Sequence, residues 1–247
     1  MNKKTLRVMN AVTFVIMIAV NVISTFGLFG VTPVKNISDE YTNLLVPMGY
    51  TFSVIWTLIY AGLLYYTMKE LVGKEDKYNI AWLVLISNLL NILWILTFTG
   101  QMYLLSTLTI VAFLITLLAI ESKIENTNLT KILFSVYAAW ILVASVVNIT
   151  TYIITLNLIP FNSLLMKIIS VLMIVATTIV IVAKNNMAMK ITYIFALAGI
   201  VANHIFTFNS AYPVMMILVA FVIACVLFSL FTELLSSTKG ELHNEAI

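Results

Sequence analysis

Runs of about 20 mainly apolar residues follow one another along nearly the whole chain, and a helix that crosses a bilayer needs a run of about that length. In lipid there is no water to satisfy backbone N–H and C=O groups, so such runs fold as helices that bond within themselves. Periodicity and punctuation give eight spans, at about 8–30, 48–68, 78–98, 103–120, 131–156, 162–183, 191–208 and 213–234. The connections read as loops for local reasons. Residues 31–47 hold Pro33, the polar cluster Asn36, Ser38, Asp39 and Glu40, and Pro47; residues 69–77 hold Gly73 amid charges; residues 121–131 are polar; Pro160 and Pro213 punctuate the last turns.

Composition decides which solvent this chain needs. Only 9% of its residues are charged and 62% are hydrophobic, against about 25% charged in soluble domains, and the mean hydropathy is +1.08. The net charge of +3 is scattered over loops, with no basic tract for nucleic acid. The single cysteine, Cys225, lies in an apolar run, which excludes an intrachain disulfide and a Cys/His metal cluster. Lys3, Lys4 and Arg7 give the start the look of a secretory signal. The apolar run from Val8 exceeds the roughly 7–15 residues of a signal core, so it is expected to remain as an uncleaved first helix. No low-complexity segment or internal repeat is visible.

Basic residues orient the spans. With the N-terminus in the cytoplasm and eight crossings, only Lys35 and Lys167 of the thirteen basic residues face outside, so both termini are expected to be cytoplasmic. Low arginine with many lysines, asparagines and isoleucines points to an AT-rich bacterial genome and hence to the cell membrane. Lys167 lies about one turn inside the sixth span, where it is expected to snorkel to the headgroups. A cation facing an outer cavity is the alternative.

No catalytic constellation is present. None of the ten carboxylates falls in the interior of a span, His204 is the only histidine within one, and His243 lies in the tail. A lone His204 is expected to be a hydrogen-bonder between helices. What the spans do carry is aromatic and amide residues at helical spacing. Phe52, Trp56 and Tyr60 form one stripe on the second span; Asn88, Asn91 and Trp94 step by three on the third; Tyr137, Trp140, Ala144 and Asn148 share a face of the fifth. Trp82 sits where an interfacial anchor would. Asn88, Asn91 and Asn148 are expected to point inward, because an unpaired amide is costly in lipid. Two readings stay open on spacing alone. Either the stripes glue the bundle, or they wall a site for a planar, mostly apolar ligand with polar edges.

Pro47, Phe52, Trp56 and Tyr60 resemble the hallmark P-P-x-x-x-F-x-x-x-W-x-x-x-Y of the translocator protein family (TspO/MBR, the tryptophan-rich sensory proteins), with Met48 standing at the second proline. Asn91 and Trp94 are similar to that family's N-x-x-W, and Tyr137, Trp140, Ala144 and Asn148 to its Y-x-x-W-x-x-x-A-x-x-x-N. The likeness spans about residues 8–157. It implies a five-helix bundle, often a homodimer, whose pocket lies under the first loop and takes porphyrins, sterol-like molecules or synthetic aromatic ligands. By position, Phe52, Trp56, Tyr60, Asn91, Trp94, Tyr137, Trp140, Ala144 and Asn148 would line or shape it, and residues 31–47 would cover it.

The expected architecture is therefore an all-α polytopic membrane bundle. Residues 1–157 form a five-helix core, and residues 158–247 add three spans and a short cytoplasmic tail. The expected function is a membrane receptor or sensor for a planar hydrophobic ligand, with membrane lipid as the other partner. No cofactor is expected; a tetrapyrrole would be a ligand without axial coordination, because no His or Cys stands in the stripes. The alternative is a small-molecule exporter, with Lys167 or His204 touching an anionic substrate. An enzyme that degrades porphyrin with light and oxygen, a reaction suggested for some family relatives, ranks last.

Overall fold

Four of the long helices begin where a short polar side chain takes up an unpaired N–H of the first turn. Asn2, Asn128, Ser163 and Asn186 accept from the backbone of Lys4, Thr130, Met166 and Met189. These caps decide where several apolar runs become helical. The structure, a computed structural model, describes residues 2–72, 79–125 and 128–245, with side chains as far as residue 235. The expected loop residues Gly73, Lys74, Glu75, Asp76 and Lys77, the expected span start at Tyr78, and the side chains of Lys239, Glu241, His243 and Glu245 lie outside the described residues.

The helices are α1 (Lys3–Phe26), α2 (Val34–Glu40), α3 (Gly49–Leu71), α4 (Ala81–Thr99), α5 (Tyr103–Lys123), α6 (Leu129–Thr155), α7 (Leu164–Ala183), α8 (Met187–Phe206) and α9 (Pro213–Glu245). All but α2 are long and apolar enough to cross a membrane. No strand occurs among the described residues.

Four boundaries lie four or more residues from the expected ones. The Asn2 cap starts α1 five residues before Val8. Gly27, at φ 67°, ends it in the left-handed conformation that favours glycine, and its N–H returns to the carbonyl of Ile23. The Asn186 cap starts α8 at Met187 rather than Ile191. The backbone of α9 stays helical beyond residue 234, although its apolar run stops there. Finally, residues 31–47 are not all loop. Pro33 sits at the N-cap of the short helix α2, an ion pair one turn apart joins Lys35 to Asp39, and Ile37 supplies a buried face.

Helices α1, α4, α5, α6 and α3 pack side by side in a closed ring, each touching the next and α3 returning to α1. Helix α8 lies against α6 and α3 from outside the ring, α9 against α8, and α7 against α9 and α6. Helix α6 is the most enclosed span, with 67% of its apolar window buried, whereas α9, at 17%, faces mainly lipid and has the highest hydropathy, 3.0. The end of the bundle that carries α2 and residues 41–48 is called upper here, and the end that carries Lys3 and Glu121 lower.

The lower end is held by buried charge. Glu121, at the end of α5, accepts from Lys131 Nζ at 2.7 Å, Lys184 Nζ at 3.2 Å and Asn186 Nδ2 at 2.9 Å, which ties α5 to α6 and to the turn between α7 and α8. The buried Lys190 reaches Glu233 at 2.5 Å and joins α8 to α9. On the opposite side Asn10 donates to Glu70 at 3.2 Å and to the carbonyl of Ala81 at 3.1 Å, tying α1 to α3 and α4. Trp82, in the first turn of α4, is half exposed.

Candidate ligand-binding site

Three helices of the ring turn their aromatic stripes toward one another in its upper half. Residues four apart lie one above the other on a helix, so the stripe on α3 presents Phe52, Trp56 and Tyr60 as a column facing α4 and α6. Trp56 is the hub. Its ring stacks on Tyr60 at 5.2 Å and 25°, and on Trp94 of α4 at 6.3 Å and 21°. Tyr137 of α6 meets Trp56 edge-on, with centroids 6.1 Å apart. One turn above, Phe52 packs edge-on against Trp140 at 5.1 Å. Six of the nine expected site residues, Phe52, Trp56, Tyr60, Trp94, Tyr137 and Trp140, thus come together from α3, α4 and α6.

The three amides expected to point inward are all buried, and the protein already uses them. Asn91 Oδ1 accepts from Asn21 Nδ2 at 2.7 Å, and its Nδ2 donates to the Tyr137 hydroxyl at 3.0 Å, which links α1, α4 and α6. That bond holds the Tyr137 ring at its angle to Trp56. Asn148 is directed to α5 instead, donating to Ser106 Oγ at 3.0 Å and accepting from Thr107 Oγ1 at 2.8 Å. Asn88 donates to Thr13 Oγ1 at 3.2 Å. Ala144 is half-buried on α6, one turn above Trp140.

Two donors of the cluster have no such commitment. The indole N–H groups of Trp94 and Trp140 are buried and find no acceptor among the described residues. A buried N–H without a partner costs free energy, and an indole N–H can only donate. The site therefore offers flat hydrocarbon faces and two free donors.

Two participants escaped the sequence analysis. Asn21 lies on a buried face of α1 with Asn10, Phe14, Met17 and Ser24, a three- and four-residue spacing that could have revealed it. Phe113 of α5 packs edge-on against Tyr137 at 5.4 Å, but a phenylalanine among leucines and isoleucines carries no distinguishing signal. Elsewhere, the His204 imidazole bonds through Nε2 to the carbonyl of Leu44 at 2.9 Å, and Lys167 lies 5.5 Å from the Tyr212 ring centroid.

Eight spanning helices in one bundle define a multi-pass helical membrane protein. The chain belongs to the TSPO-like protein family, whose model matches residues 7–232, a stretch that runs from within the first span to within the last. No curated protein and no solved structure matches the chain.

Proposed function

We propose that this protein is a membrane receptor or sensor that binds a planar, hydrophobic molecule, tetrapyrrole- or sterol-like, among the aromatic side chains of α3, α4 and α6. The observation that carries the reading is the near-parallel stack of Tyr60, Trp56 and Trp94 with two unspent indole donors beside it. Aromatic faces favour flat partners at stacking distance, and the free N–H groups favour a ligand with oxygen acceptors at its edge. Stacked rings are separable without breaking a helix, so a flat ligand can replace one ring-to-ring contact by two ring-to-ligand contacts. No His or Cys stands in the cluster, so a tetrapyrrole would be held by its faces and edge groups rather than by axial coordination.

Protoporphyrin IX quenching of tryptophan fluorescence tests this reading. A stacking contact is worth about 0.5–1.5 kcal/mol beyond burial, so Trp56→Ala, which removes the hub, is expected to weaken Kd about tenfold. Saturable binding with an unaltered Kd in both Trp56→Ala and Trp140→Phe counts against it.

We further place the protein in the cell membrane with its lower end, and both termini, in the cytoplasm. The distribution of lysine supports this, because among the described residues only Lys35 and Lys167 belong to the upper end. Residues 1–157 then form the receptor core and residues 158–247 an added unit beside it. Alkaline phosphatase fused after Ile247 is expected to be inactive in cells; full activity there would reverse the orientation.

A further inference from the structure

A non-helical segment must find partners for its own backbone wherever it is buried. Residues 41–48 face this problem, since Asn43, Leu44, Leu45 and Pro47 are all buried. The segment crosses the upper end of the ring. Tyr41 packs edge-on against Tyr103 at the start of α5, with centroids 5.4 Å apart. Asn43 Nδ2 donates to Thr150 Oγ1 at 2.7 Å, Thr151 Oγ1 at 3.1 Å and the carbonyl of Val147 at 3.1 Å, all on α6. From Leu44 onward the partners change to α8, a helix outside the ring. His204 Nε2 donates to the carbonyl of Leu44 at 2.9 Å, Asn203 Nδ2 donates to the carbonyl of Val46 at 3.0 Å, and the N–H of Met48 donates to the carbonyl of Gly199 at 2.9 Å. The fit is close at Gly199, where a Cβ would stand 2.5 Å from Thr51 Oγ1 and 3.1 Å from Pro47 Cβ. Behind His204, Phe208 lies at 5.2 Å and Tyr212 at 6.0 Å, and both back the imidazole.

The placement of these bonds matters more than their number. Phe52, the first ring of the α3 stripe, follows Met48 by one turn, so whatever holds Met48 also closes the upper end of the seam between α3 and α6. Two of the three bonds from α8 come from side chains to backbone carbonyls, so they can break while every helix keeps its own ladder. The Asn43 contacts lie on the other side of the segment and can persist as a pivot.

We propose that α8 is a latch: Asn203, His204 and Gly199 hold residues 44–48 across the upper end of the aromatic site, and ligand enters or leaves when that hold is released. The gating role rests on the ligand site proposed above; the latch itself does not. It gives the helices beyond the five-membered ring a task, which is to set how often the site opens.

Hydrogen exchange of the full-length protein in detergent tests the latch without any ligand, because the Met48 amide reports directly on its bond to Gly199. Losing one such bond is expected to raise exchange at Met48 about tenfold in Asn203→Ala and in His204→Phe. Gly199→Ala, which pushes from the opposite side, is expected to do the same, and His204→Gln, which keeps a donor, to restore the slow rate. Should His204→Phe fail to fold, Asn203→Ala carries the test, since that side chain is only half-buried. Unchanged exchange in Asn203→Ala and Gly199→Ala overturns the latch.

The second arm measures protoporphyrin IX association and dissociation on the same variants. A gate scales both rates by one factor and leaves Kd unaltered, whereas a residue that shapes the pocket changes Kd. Faster exchange with unchanged binding rates overturns the gate. If the unmodified protein does not bind protoporphyrin IX, the receptor reading and the gate fail together, and exchange at Met48 still decides the latch.

Discussion

Replacing Glu121 by alanine is expected to destabilise the bundle by about 3–5 kcal/mol, the typical effect of removing one partner from a buried ion pair. The carboxylate is nearly inaccessible and serves Lys131, Lys184 and Asn186 together. Lys184, with 35% of its side chain exposed, can turn to water when the carboxylate is gone. Lys131 cannot. Its side chain is 9% exposed, and its remaining partner among the described residues is the Glu121 backbone carbonyl at 2.5 Å. A buried ammonium left with one neutral acceptor accounts for most of the loss. The double variant Glu121→Ala, Lys131→Met removes that stranded charge and is expected to recover a large part of it. Unfolding by sodium dodecyl sulfate in mixed micelles, followed by far-UV circular dichroism, measures both. A double variant no better than the single one shows that the stranded lysine is not the cause.

Trp140→Ala is expected to cost about 3 kcal/mol. Removing a core tryptophan from a water-soluble protein costs about 3–5 kcal/mol, part of it the transfer of the side chain out of water. That part shrinks here, because a separated helix would leave the ring in lipid, and what remains is lost packing. The packing is substantial. Trp140 is 1% exposed on the most enclosed helix and meets Phe52 edge-on. Its indole N–H has no acceptor among the described residues, so no hydrogen bond to them is lost with it. Trp140→Phe keeps a ring against Phe52 and is expected to cost only about 1 kcal/mol. The two variants, compared in the same unfolding assay, separate ring volume from polarity; equal losses would show that the indole itself matters.

The spans were readable because lipid is their solvent, and a helix in lipid must declare itself by some 20 apolar residues. Caps were harder to read. Asn186 and Asn2 start their helices ahead of the hydropathy signal because the capping side chain, not apolarity, sets the first turn. The short helix α2 was invisible, since seven residues beginning with valine and ending in Ser38, Asp39 and Glu40 look like any polar connection. The aromatic stripes were visible because side chains four apart on one helix repeat in the sequence. That they meet across α3, α4 and α6 was suggested by the resemblance of those stripes to a known family rather than by spacing. Family membership reaches farther than the motifs, which stop near Asn148 while the matched stretch continues to residue 232. The hold of α8 on residues 44–48 left no trace. Its partners are 157 and 160 residues apart, and a carbonyl acceptor is the same in every residue type.

Those same distances have a bearing on biogenesis. A chain still being made on the ribosome, with its first five membrane helices already inserted, holds every ring of the aromatic cluster but neither Asn203 nor His204. Residues 44–48 therefore wait for their partners on α8 until that helix has left the translocon, so their fastening follows the making of all the rings below them.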